Sequence, residues 1–165
     1  MNQQTNKQLP DSAKKVQNYL ITHGYSSEIV EFSDATRTAK EAALAIGCEV
    51  AQIAKSLIFI DQGSNSPVLV IASGVNQVDV KKIELQAGLQ LIKADGKFVK
   101  ERAGFAIGGV PPCAHNENLK TFLDPSLLQY EWLWAAAGTP FSVFKLRSDE
   151  LQKMTDGTFI DFAIN

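Results

Sequence analysis

The segment from Lys55 to Ala72 reads Lys-Ser-Leu-Ile-Phe-Ile-Asp-Gln-Gly-Ser-Asn-Ser-Pro-Val-Leu-Val-Ile-Ala, and it sets the architecture. Ser56 to Ile60 and Val68 to Ala72 are short apolar runs rich in β-branched and aromatic residues. Asp61 to Pro67 between them holds turn formers. Two such runs across a turn read as a β-hairpin.

Outward from this hairpin, helical and strand patterns mix without a regular βα repeat. Asp11 or Ser12 can cap a helix carrying Val16, Tyr19 and Leu20, with Gly24 placed to end it. Glu28 to Phe32 reads as a strand. Thr38 and Glu41 match a capping box ahead of an alanine-rich helix to Ile46. Val50 to Ala54 is a short helical turn. Asp79 caps a helix over 80–87, Leu89 to Lys93 is a short strand, and Asp95 to Arg102 is a basic helix leading into a strand. Lys120 to Leu123 follows as a strand and Ser126 to Gln129 as a helical turn. Glu131 to Ala137, Phe141 to Leu146 and Phe159 to Ala163 read as strands, and Ser148 caps a helix to Met154. The expectation is an α+β fold: one domain over 11–165, with a mixed β-sheet curled into a barrel-like core and helices around it. Residues 1–10 read as a flexible polar tail.

The chain has 165 residues, 45% hydrophobic and 21% charged, with a net charge of −2. This is ordinary globular composition with enough length for a full core. The charge argues against a coat for nucleic acid or anionic membrane, but permits contact with a few phosphates. No apolar run is long enough to span a bilayer. The polar start is unlike a secretory signal, so a cytoplasmic location is expected. No GxGxxG or P-loop pattern appears, and no cofactor is expected. Cys48 and Cys113 are read as free thiols.

Downstream, Phe105 to Pro112 reads Phe-Ala-Ile-Gly-Gly-Val-Pro-Pro. Glycine permits backbone conformations and close approaches that side chains forbid, while Pro111 and Pro112 stiffen the exit. The loop is either a rigid turn or a platform offering the amides of Gly108, Gly109 and Val110 to a ligand. Lys55 stands where an apolar turn meets an apolar strand. It is either a strand-end lysine reaching solvent or a fixed positive charge for phosphate or carboxylate. Cys113 and His115 sit two apart just beyond the prolines. With only His23 as another histidine, a zinc set is not expected; a cysteine nucleophile with a histidine base remains open. Lys81 and Lys82, then Lys93, Lys97, Lys100 and Arg102, form two small basic groups that could meet nucleic acid or be solvated helix faces.

These pieces resemble the YbaK/EbsC family of editing domains associated with prolyl-tRNA synthetase. The residues that carry the resemblance are Ala39-Lys-Glu-Ala-Ala, Gln52-Ile-Ala-Lys-Ser-Leu-Ile-Phe, Gly104-Phe-Ala-Ile-Gly-Gly-Val-Pro-Pro and Trp134-Ala-Ala-Ala-Gly-Thr-Pro. They fall in the family's order from about Ser12 to Ala163. The resemblance implies a freestanding aminoacyl-tRNA deacylase that acts in trans on mischarged tRNA, above all tRNA for proline. It implies the acceptor end of aminoacyl-tRNA as partner, with prolyl-tRNA synthetase as a further one, and a monomer. By carry-over, Lys55 holds the terminal adenosine or its phosphate, and catalysis falls to Lys55, Gly108 and Gly109. Val110, Pro111, Pro112, His115, Ala137 and Gly138 are the implied substrate-binding positions, and Lys81, Lys82, Lys97 and Lys100 are the expected nucleic-acid contacts. Ala137 to Val143 departs from the basic and acidic pattern of some relatives. Cys113-Ala114-His115 replaces the Phe-Gly-His of others. A non-catalytic tRNA- or synthetase-binding module, or a Cys113/His115 ester hydrolase, are the alternatives.

Overall fold

The computed structural model describes residues 8–36 and 38–164. Most of the expected tail, 1–7, lies outside them. Helices α1 (Asp11–Thr22), α2 (Ala39–Ile46), α3 (Val80–Ala87), α4 (Gly96–Ala103) and α5 (Ser148–Thr155) surround eight strands. The strands are β1 (Ile29–Glu31), β2 (Ile53–Asp61), β3 (Ser66–Ser73), β4 (Leu91–Lys93), β5 (Lys120–Leu123), β6 (Trp132–Ala136), β7 (Ser142–Arg147) and β8 (Thr158–Phe159). They form one sheet in the order β1-β7-β6-β2-β3-β5-β8, with β4 also on β2. The sheet is mixed: β2 runs parallel to β6 but antiparallel to β3 and β4, and β3 runs parallel to β5. This is the expected α+β class. The pairing path is open, and among the described residues no ladder joins β1 to β8.

The hairpin forms as its apolar runs dictate, with Ala54 paired to Ser73 and Asp61 to Ser66. Successive β3 residues face opposite sides, and Val68 to Ala72 are all buried. Leu69 and Ile71 join the larger core, where α1 brings Val16 and Leu20, α4 brings Val99 and Ala103, and α5 brings Leu151. Val68, Val70 and Ala72 pack on the other side with Ile83 of α3 and Phe162. A third cluster seats Ala42 and Ala43 of α2 on Ile53, with Trp134 against it.

Helix starts follow cap chemistry. Thr38 and Glu41 close the expected capping box, and Asp79 and Asp95 accept from the amides of Lys81 and Phe98. Two caps differ. The residue ahead of α1 is Pro10, with no side-chain cap from Asp11 or Ser12. Ser148 is the first residue of α5 rather than its cap; Glu150 instead accepts from the Arg147 amide at 2.8 Å. The strand expected at Phe105–Ile107 does not form. Gly104 ends α4 at φ +92°, and this turn drives the Phe105 ring into the core instead of alongside a partner strand. The last expected strand is shorter, Thr158–Phe159 on β5, followed by a single bridge from Ala163 to Val78. Among the described residues, no helix is long and apolar enough to cross a membrane.

One interruption positions the site. Strand β3 covers one edge of β2 from Ala54 to Asp61. The other edge meets β6 only at Ile53 and Ala54, and β4 only from Phe59 to Asp61. On that edge residues 55–58 are therefore left without a neighbour strand, in the middle of the sheet.

Candidate active site

A cleft of about 480 Å³ opens at this gap. Its floor is Lys55, Ser56 and Leu57 of β2, and its wall includes Ile107, Gly108 and Val110 of the glycine–proline loop. Two features separated by some fifty residues of sequence thus meet. Thr36 and Thr38 enter from the segment leading into α2, Lys40 from the first turn of α2, and Ala136 from the end of β6.

Lys55 pairs in register with Ala72 of β3. Among the described residues it makes no ion pair. Burial lowers its pKa by penalising the ammonium, and the charge of Asp124 acts in the opposite direction. Asp124 follows β5 and is itself buried, with 3% exposure. Burial alone would raise its pKa. Hydrogen bonds from Ser126 Oγ (2.6 Å), Asn76 Nδ2 (2.8 Å), the Ser73 amide (3.0 Å) and the Ser126 amide (2.9 Å) outweigh that and hold the carboxyl below its usual range. The carboxylate is thus a fixed charge that helps keep Lys55 protonated.

The loop divides into an exposed lip and a buried stem. Ala106, Ile107 and Gly108 are exposed, whereas Gly109 to Cys113 are buried. Gly108 takes φ +94°, which glycine tolerates and other residues adopt at a cost. The three expected amides are not equivalent. Gly109 N–H is committed to the Ala106 carbonyl at 3.0 Å, while among the described residues the N–H groups of Gly108 and Val110 have no protein acceptor. Gly109 lies against the turn at 138–139: its carbonyl accepts from the Gly138 amide at 2.9 Å, and a Cβ there would stand 2.7 Å from the Thr139 backbone.

The other implied positions stand behind the loop. Ala137 is fully buried, and Gly138 packs on the Ser12 backbone. Pro112, Cys113 and His115 line a different, larger cavity of about 830 Å³ with Lys15, Tyr19 and Met154. His115 reaches the loop from that side, Nε2 to the Pro111 carbonyl at 2.7 Å. The Cys113 thiol is pushed up to about 12 by burial, so it is protonated near neutral pH. Its neighbour's Nε2 is engaged with a carbonyl. Neither observation suits a cysteine nucleophile with a histidine base. Among the described residues, no three His, Cys, Asp or Glu side chains converge as a metal set.

The two basic groups do not merge. Ile83 of α3 and Val99 of α4 pack on opposite faces of the sheet. Lys82 Nζ donates to the Ala163 carbonyl at 2.7 Å, and Arg102 pairs with Glu117 at 2.8 Å. Sequence reasoning missed Lys40 and Asp124. The first lay inside a quoted motif; the second carried only a local cap signal, Asp-Pro-Ser.

Against this geometry, the sequence profile described as the aminoacyl-tRNA editing domain matches residues 33–154. The chain belongs to the aminoacyl-tRNA editing domain family. A crystal structure described as a candidate trans-editing enzyme for prolyl tRNA synthetase is 42% identical, with a TM-score of 0.90 over 96% of this chain and 100% of that one. A structure from work on epitope backbone grafting onto scaffold proteins is 40% identical, with a TM-score of 0.89 over 95% of this chain and 99% of that one. Bacillus subtilis YwhH is 29% identical over 144 residues, 87% of this chain and 91% of its own length. The matched segment of the editing domain contains both Lys55 and the whole glycine–proline loop.

Proposed function

We propose that this chain is a freestanding aminoacyl-tRNA deacylase that hydrolyses mischarged tRNA in trans, with tRNA for proline as its main substrate. It works in the cytoplasm, as a monomer, on the acceptor end of tRNA that prolyl-tRNA synthetase has charged wrongly. The observation that carries this reading is the meeting of an unpaired Lys55 with the uncommitted amides of Gly108 and Val110 across one cleft.

An aminoacyl ester is already activated, so positioning and charge stabilisation suffice. Lys55 anchors the terminal adenosine through its phosphate. Water attacks the ester carbonyl carbon, and the oxygen that becomes negative is met by the Gly108 and Val110 N–H groups. The attacking water gives up its proton through the neighbouring ribose hydroxyl. Collapse breaks the bond to the ester oxygen of the ribose, which takes up a proton, and free amino acid and tRNA result.

Deacylation of tRNA for proline charged with a panel of wrong amino acids tests the reading. Lys55→Ala should lower turnover about 100-fold or more while the fold survives, since one anchor in a partly desolvated site is lost. Near-normal turnover by Lys55→Ala would overturn its role. Binding of tRNA by the wild-type protein without hydrolysis would identify a non-catalytic module instead.

A further inference from the structure

The cleft contains a polar atom that the reaction above leaves unused. Ser56 follows Lys55 on β2 and lines the same cleft. Its Oγ is buried without a hydrogen-bond partner, alone in this among the buried side-chain nitrogens and oxygens of the described residues. Buried hydroxyls are nearly always paired, so an orphan at a binding surface calls for a partner from outside the protein.

The neighbouring hydroxyls sharpen the contrast. Thr36 Oγ1 donates to the Pro140 carbonyl at 3.0 Å. Thr38 Oγ1 accepts from the Glu41 amide at 3.1 Å and lies 3.2 Å from Glu41 Oε1. Both are held in turn and cap structure. Lys40 and Lys55 can only donate. Among the side chains lining the cleft, Ser56 therefore holds the one buried hydroxyl with no partner at all, an oxygen with its full capacity to accept still unused.

We propose that Ser56 is a substrate-contacting specificity residue, whose Oγ accepts a hydrogen bond from an N–H or O–H of the aminoacylated adenosine. The inference rests on the deacylase reading. Two groups flanking the ester carry that chemistry, the α-amino group and the neighbouring ribose hydroxyl. The first lies two bonds from the reacting carbonyl carbon and the second four, and the Gly108 and Val110 amides would hold that carbonyl in this cleft.

The test is kcat/KM for deacylation by wild type, Ser56→Ala and Ser56→Thr, with melting temperatures of all three. Loss of one hydrogen bond to substrate should lower kcat/KM about tenfold in Ser56→Ala. Ser56→Thr, which keeps the hydroxyl and suits a strand, should recover most of it. The melting temperature of Ser56→Ala should hold or rise, because an unpaired buried hydroxyl is removed. A purely structural serine would do the reverse, lowering the melting temperature and sparing the rate of the folded protein.

Inhibition by a non-hydrolysable amide-linked aminoacyl-adenosine distinguishes the two sources. If the α-amino group is the donor, Ser56→Ala loses no further affinity for the analogue lacking it; if the ribose hydroxyl is, the same holds for the analogue lacking that hydroxyl. Equal kcat/KM for Ser56→Ala and an active wild type would overturn the Ser56 role alone. A wild type inert on every mischarged tRNA would overturn the deacylase reading and this inference with it.

Discussion

The His115 imidazole, which lines the larger cavity and not the Lys55 cleft, holds the Pro111 carbonyl, Nε2 to oxygen at 2.7 Å. The backbone returns to make this contact through Ala114, which takes φ +67°. A ring that bonds a carbonyl must carry its proton on Nε2. The histidine therefore acts as a clamp on the loop whose Gly108 and Val110 line the cleft.

Replacing the clamp should be felt in catalysis through loop position. His115→Ala should lower kcat by about tenfold with a smaller change in KM, the loss of one neutral hydrogen bond. His115→Gln, which keeps a donor near the same place, should recover part of it. The protonation state adds a second readout. Burial lowers the His115 pKa, the Pro111 bond opposes this, and the charge of Lys15 lowers it further from 6.5. The folded state then binds a proton less readily than the unfolded one. Stability should fall as pH drops below about 6.5, down to the depressed folded value, and His115→Gln should flatten that slope in thermal melts. An unchanged slope would remove His115 as its source.

The sequence made part of this site legible, for physical reasons. A lysine within an apolar run stands out, as does a glycine pair before two prolines, and Lys55 and the first of those glycines, Gly108, line the cleft. The hairpin was equally plain, because a strand buried on both faces must be apolar at every position. Phe105 to Ile107 misled for a related reason. Their apolarity records the Phe105 ring sunk into the core, not a strand partner, and the sharp turn at Gly104 is a matter of conformation. Beyond its local cap signal, the place of Asp124 near the site was not legible, because its meeting with Ser73 depends on the parallel β3–β5 register, set by chain far away. His115 lies close to the loop in sequence yet faces the other cavity, because the stem from Gly109 to Cys113 turns through the interior.

The two glycines of the loop should separate stability from function. Gly108 is exposed, and a Cβ there would meet only Pro140 Cβ at 3.9 Å; the cost of Gly108→Ala is its φ of +94°. That is about 1–2 kcal/mol, a shift of some 2–8 °C in melting temperature for a chain of this size. Gly109→Ala would drive a methyl group into the Thr139 backbone at 2.7 Å. It should be the more destabilising of the two and should displace Val110 as well. Comparable melting temperatures for Gly109→Ala and wild type would show that the 138–139 turn yields freely.

Asp124 should couple stability to the pH range of activity. Its folded pKa is lowered, so its contribution is present above about 3.8 and is lost as pH falls through the folded value. Asp124→Ala should cost about 2–3 kcal/mol by leaving buried donors unpaired. The gentler Asp124→Asn removes the charge that raises the Lys55 pKa. If the Lys55 ammonium anchors substrate, the alkaline limb of the pH–rate profile should move to lower pH in this variant. A limb that stays in place would show that Lys55 is not the group titrating there.

Grip on tRNA should be weak and only mildly dependent on salt. The chain carries a net charge of −2, which argues against a grip on many phosphates at once. Lys82 is tied to the Ala163 carbonyl and Asp161, and Arg102 to Glu117. Lys40 and Lys55 are the cations at the cleft itself. Two to four phosphate contacts give a slope of log K against log salt of roughly −1.5 to −3, taking the coefficient for single strands. Lys40→Ala should reduce the magnitude of that slope by about 0.7, the loss of one contact, whereas Lys82→Ala should leave it unchanged. Titration of uncharged tRNA at several salt concentrations measures both. A slope near that of a protein holding ten phosphates, or a drop with Lys82→Ala equal to that with Lys40→Ala, would move the nucleic-acid surface from the cleft mouth to the face covered by α3.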